Sequence, residues 1–233
     1  MLVAAAVCPC PPLLVTAVAA GAAPELDPVR DACADVVGVL AAARPDRLVV
    51  VGPAGRDASY PEGSRGSFRG FGVALDVRLG QGDGTEARLP AALSVAAWLL
   101  DRTGWADAPV EGLGVAEPST VERCVQVGRT AAASAERVAL LVMGDASACR
   151  TLKAPGYLDD RAAGFDAEVA RALGAADVGA LKALDAGLAR ELQASGRAPW
   201  QILAGAAEDA GLAGGLLYDD APYGVGYLVA AWS

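Results

Sequence analysis

Cys10, Asp145, Ser147 and Cys149 are the residues whose types could carry chemistry, and each follows a short apolar run. A thiolate is a nucleophile and soft metal ligand, a carboxylate a general base or hard ligand, and a hydroxyl a nucleophile once a base activates it. None of them can draw on histidine, because the 233-residue chain contains none. That zero excludes Ser-His-Asp and Cys-His catalysis, and it excludes three-His and two-His-one-carboxylate metal sites. A metal site would have to be assembled from Cys, Asp, Glu, Tyr and backbone oxygens. No metal cofactor is expected; Cys10, Asp145 and Cys149 are the weak candidates for a site rebuilt from thiolate and carboxylate around Fe(II) or another divalent ion. Asp, Glu and water would suit Mg2+ or Mn2+ better than Fe(II).

Each residue also has a plainer reading. Cys10 has no neighbouring Lys to lower its pKa, and buried cysteine is usually a small hydrophobe. Cys8 belongs to the end of the apolar run, while Cys33 and Cys124 fall on helical apolar faces. Cys149 would join Cys10 in a two-thiolate site if their loops meet. Asp145 follows Gly144, where a carboxylate commonly caps its own turn, and Ser147 shares that ambiguity. Arg56, Arg150 and Arg197 could clamp a carboxylate or phosphate, with surface ion pairing as the alternative in a chain of 28 acids. Ser195 opens Ser195-Gly196-Arg197-Ala198-Pro199, a helix start whose N–H groups could receive an anion. Asp219-Asp220, within Tyr-Asp-Asp-Ala-Pro, reads as a solvated turn.

The surrounding elements must position these side chains. Residues 2–7 form an all-apolar run suited to a strand buried on both faces, ended by Cys8-Pro9-Cys10-Pro11-Pro12. Asp27-Pro28 reads as an N-cap followed by Pro at N1, opening a helix with Val29, Cys33, Val36, Val37 and Leu40 at helical spacing. Residues 47–52 read as a second buried strand, so strand, helix and strand form a right-handed parallel crossover. Residues 53–70, rich in Gly, Ser and Arg, read as a long loop and mobile cover. Residues 71–79 alternate as a strand, 80–84 turn, and 89–102 form a helix with Trp98, Leu99 and Leu100 in the core. A strand over 110–116 leads to Ser119-Thr120-Val121-Glu122, a capping box opening a helix to Ser134. Residues 137–143 are the third strongly buried strand, ending in Gly144-Asp145-Ala146-Ser147. Helical segments fill 159–211, and 215–218 and 224–232 are closing strands around the Asp219-Asp220 turn.

This pattern predicts one α/β domain over 1–233, with a central mixed, largely parallel sheet flanked by helices. Ligands of such sheets bind outside the carboxyl ends of the strands, where the candidate residues fall. A net charge of −9 with no basic stripe disfavours nucleic acid and anionic membrane surfaces. Five scattered cysteines do not resemble a disulfide framework, so a reducing cytoplasm is expected. Residues 1–23 are apolar but lack a basic n-region and are broken by Pro9, Pro11 and Pro12, unlike a secretory signal. No run reaches the ~20 apolar residues of a membrane span.

The order of these loops resembles a known family. A strand ending in Cys-Pro-Cys-Pro-Pro-Leu-Leu, one ending in Val-Gly-Pro, one ending in Gly-Asp-Ala-Ser and a late Ser-Gly-Arg-Ala-Pro together resemble the LigB-type class III extradiol dioxygenase superfamily, including its Memo branch. Leu217-Tyr218 and Val225-Gly226-Tyr227 extend the resemblance over nearly the whole chain. It implies a LigB/Memo-like α/β fold. In the dioxygenases it further implies Fe(II) held by two His and a Glu at strand-end loops, with another His as acid-base catalyst for catechol ring opening. The departures fall on those positions. Pro9-Cys10 stands where Pro-His is expected, Ala54-Gly55 where a ligand His follows Gly-Pro, and Ala148 where many members have the His of Gly-Asp-Leu-Ser-His. Ser195-Gly196-Arg197 replaces the Memo-like Cys-Gly-Arg. The resemblance therefore points to a divergent relative that has lost its His-based Fe(II) site and binds a small anionic or phenolic ligand in the inherited cleft. Two other classes stay open: an oxygenase or hydrolase with a rewritten Cys/Asp site or arginine clamps, and a non-enzymatic interaction subunit, in a homo-oligomer or a heteromer.

Overall fold

Three runs that are apolar at almost every position become the centre of a sheet, because both of their faces need cover. In the computed structural model, which describes residues 1–84 and 87–233, the chain begins β1 (Leu2–Cys8), α1 (Thr16–Ala19), α2 (Asp27–Ala42) and β2 (Arg47–Ala54). It continues β3 (Ala58–Tyr60), β4 (Arg65–Ser67), β5 (Asp76–Arg78), α3 (Ala91–Arg102), β6 (Val110–Ala116), α4 (Val121–Ala132) and β7 (Val138–Met143). The last third is α5 (Ala162–Gly174), α6 (Val178–Lys182), α7 (Ala186–Glu191), α8 (Arg197–Ala206), β8 (Gly214–Asp220) and β9 (Tyr227–Trp232). Seven strands form one sheet in the order β3-β6-β2-β7-β1-β9-β8. The inner strands β6, β2, β7 and β1 are parallel, while β3, β9 and β8 pair antiparallel at the edges. The chain is thus a single α/β domain with a mixed, largely parallel sheet.

The period of two along each strand divides the core. Val7, Val49, Val51, Leu140 and Val142 point to the side covered by α4, α5 and α8. Ala6, Cys8, Val50, Leu141 and Met143 point to the side covered by α2 and α3. Each fully buried Val or Leu contributes roughly 1.5–3 kcal/mol. No helix among the described residues is long and apolar enough to cross a membrane.

The strands β1 and β2 run parallel, as the crossover requires, with β7 inserted between them. Other local expectations are corrected. Residues 53–70 are not a loose cover: β3 pairs with β6, and β4 pairs with β5 in a separate ribbon. The predicted strand over 71–79 shrinks to β5, because Arg69–Phe71 winds into a 3-10 turn closed by Gly72 at φ +82°. Asp27 does not cap its helix. It is the first helical residue, and its carboxylate instead accepts from the buried Arg30 guanidinium at 2.6 Å. The capping box is offset: Thr120 is the N-cap, accepting from the Arg123 N–H at 3.3 Å, and the helix stops at Ala132. Asp219 and Asp220 extend β8, and the turn follows them.

Candidate functional site

Cys8 pairs with Met143 in the parallel ladder, so the loops leaving β1 and β7 start side by side. The Gly144 N–H donates to the Cys8 carbonyl at 3.0 Å. A Cβ on Gly144 would sit 2.4 Å from the Cα of Gly196, so glycine here lets the start of α8 close over the strand ends. Three chain segments then meet. The Cys10 N–H donates to Asp145 Oδ1 at 2.8 Å, and the thiol Sγ lies 3.9 Å from Asp145 Oδ2. The Asp145 N–H donates to Ser195 Oγ at 3.0 Å, and the Gly196 N–H donates to the Asp145 carbonyl at 2.9 Å. Ser195 also reaches the Cys10 thiol.

This geometry sets the proton affinities. Burial pushes the Asp145 carboxyl up to about 6, with the hydrogen bond from the Cys10 N–H pulling the other way. Burial and the nearby Asp145 charge push the Cys10 thiol well up, so Cys10 is a neutral thiol at neutral pH. The phenol of Tyr227, buried on the adjacent β9, is raised by burial and by Asp145. The group able to take and return a proton near neutrality is therefore Asp145, which remains partly exposed as a residue.

The other candidates are placed differently. Ser147 is fully buried, and its N–H and hydroxyl both donate to Asp166 at 2.8 Å. Arg150 donates to the same carboxylate at 3.0 Å. Ser147 and Arg150 thus tie the β7 loop to α5, which removes both from a nucleophilic or clamping role. Cys149 packs into the core on the α4–α8 side and donates to the Leu192 carbonyl at 3.5 Å, whereas Cys10 belongs to the opposite side. The two-thiolate site does not form, because the two loops pack their sulfurs into different core clusters. Arg197 is turned inward, donating to the Ser119 carbonyl at 2.7 Å, to Gln201 Oε1 at 3.1 Å, and to Glu117 through its carbonyl and carboxylate. Arg56 is exposed and has no ion pair among the described residues. No guanidinium is thus committed to the Cys10–Asp145 pair.

Sequence reasoning passed over Asp166 and Tyr227. Asp166 carried a signal: it lies on the apolar stripe of Phe165, Val169, Ala170 and Leu173, where an acid must find donors. Its carboxyl is raised by burial and lowered by Ser147 and Arg150.

The Fe(II) implied by the resemblance does not fit these donors. The meeting point offers one protonated thiol, one carboxyl and a hydroxyl, where the iron site requires two imidazoles. Among the described residues, no three His, Cys, Asp or Glu side chains group closely enough to hold a metal.

No family model matches the chain, and no curated protein matches it significantly. Among solved structures, an uncharacterized protein JW3007 from Escherichia coli K12 matches with a TM-score of 0.59 at 12% identity, covering 99% of this chain and 100% of that chain. The likeness is one of fold.

Proposed function

We propose that the chain is a divergent LigB/Memo-like protein that binds a small phenolic ligand at the strand-end site without iron chemistry. The observation that carries this reading is the meeting of Cys10, Asp145 and Ser195 at the carboxyl ends of β1 and β7. Asp145 supplies an acceptor for a phenol O–H, and Ser195 supplies a hydroxyl. The turn that follows Cys10 also exposes Leu13, apolar surface suited to an aromatic ring. A phenol is favoured over an anion, because Arg150 and Arg197 are occupied and an ionised Asp145 would repel negative charge. The five unpaired, buried thiols support placing the protein in a reducing cytoplasm.

Calorimetric titration with catechol, using benzoate as the anionic control, tests the proposal. Saturable catechol binding that exceeds benzoate binding and drops at least about tenfold in Asp145→Asn is expected. Stoichiometric iron in anaerobically purified protein together with catechol ring opening would overturn it, as would absence of catechol binding. One observation favours a second reading: a carboxyl near 6 is suited to general acid-base catalysis. Turnover of a phenolic substrate that vanishes in Asp145→Asn would establish that enzyme.

A further inference from the structure

The ribbon over α3 stacks like charges against ordinary strand chemistry. Arg65 on β4 stands directly opposite Arg78 on β5. The other edge of Arg65 bridges Arg88 in parallel, with the Arg65 N–H donating to the Ala87 carbonyl at 3.0 Å and the Leu89 N–H donating to the Arg65 carbonyl at 2.9 Å. Three arginines therefore stand abreast across three neighbouring segments, spanning about 10 Å at the usual strand spacing. All three are exposed and none forms an ion pair among the described residues, although Arg78 donates to the Gly82 carbonyl at 3.5 Å and the charge of Arg65 helps to lower the Asp76 carboxyl. Like charges directly opposite one another destabilise a strand pair. Elsewhere in this acidic chain arginines are commonly paired, so three neighbouring arginines without an ion pair among the described residues are a local departure.

These three side chains line a cavity of about 1410 Å³ whose floor touches the buried Trp98. Of the two acids among the described residues of its wall, Asp76 is already neutralised by Arg69 at 2.9 Å, which holds its carboxyl down at about 2, and Asp101 lies at the end of α3. We propose that this ribbon face binds a small ligand carrying linked phosphates. Guanidinium groups bind phosphate oxygens in bidentate fashion, and a row of three matches the charge of a diphosphate, whereas one carboxylate would satisfy a single arginine. A long polyanion such as nucleic acid is disfavoured, because the −9 net charge would repel whatever extends beyond the cavity. The site is separate from the Cys10–Asp145 site, and neither proposal depends on the other.

The test is calorimetric titration of the intact protein with inorganic pyrophosphate and with ADP at low salt, alongside Arg88→Gln and an Arg56→Gln control. One saturable site is expected, weakened about tenfold or more in Arg88→Gln and unchanged in Arg56→Gln. Without ligand, Arg88→Gln is expected to melt about 1–3 °C higher, since it relieves like-charge contact. Tighter binding of ADP than of pyrophosphate assigns a nucleotide. Equal affinity assigns the phosphates alone. The proposal is overturned by absence of binding to both probes, by unchanged affinity in Arg88→Gln, by a lowered melting temperature in that variant, or by tighter binding of single-stranded DNA than of ADP.

Discussion

Asp145 is where residue-scale chemistry is most sharply defined. An unfolded Asp titrates near 3.9, and in the fold burial moves it to about 6. Between those values the folded protein holds the extra proton, so stability falls as pH rises from about 4 to about 6. Above that window the whole cost remains, on the order of 2–3 kcal/mol. Asn at 145 keeps an oxygen for the Cys10 N–H and cannot ionise. Urea unfolding at pH 4 and pH 8 should show the stability of Asp145→Asn, relative to the parent, improving by about that amount at the higher pH. A difference that does not move with pH would mean that Asp145 ionises as it does in solvent. Cys10 and Asp145 were legible as candidates because each directly follows a buried strand. Ser147 and Cys149 misled for a physical reason: a few residues past the strand end, loop direction is set by distant partners, here Asp166 on α5 and Leu192 beyond α7.

At the scale of elements, the closest helix contact is made by glycines. A Cβ on Gly128 of α4 would sit 2.0 Å from the Ile202 carbonyl of α8, and one on Gly205 would sit 2.3 Å from the Val125 carbonyl. Alanine favours helix over glycine by roughly 1 kcal/mol. At Gly128 that gain is outweighed, because the obstructing atom is backbone and the helices must separate. Gly128→Ala should therefore lose about 1–3 kcal/mol in urea unfolding. Gly38→Ala, on the exposed face of α2 with nothing near its Cβ, should gain up to about 1 kcal/mol. Loss at both sites would refute the packing argument. The long strands and helices were legible from apolar spacing, whereas β3, β4 and β5 are three residues each, too short for a period to register.

Across the whole molecule, all five thiols are free and buried, and burial raises Cys8, Cys10, Cys124 and Cys149. The native protein should therefore show no thiol reacting with a disulfide reagent at the rate of an exposed cysteine, and five after guanidinium denaturation. Rapid stoichiometric labelling of the native protein would show that Cys10 is open and activated. By itself the sequence determined which chemistries are absent and which runs must be buried, because residue type decides the first and local apolar period the second. The tertiary structure decided which candidates meet. The paths of the two loops carried Cys10 and Cys149 into opposite core clusters, and long-range donors and acceptors occupied Ser147, Arg150 and Arg197. Such partners lie up to about eighty residues away in the chain, beyond the reach of any local pattern.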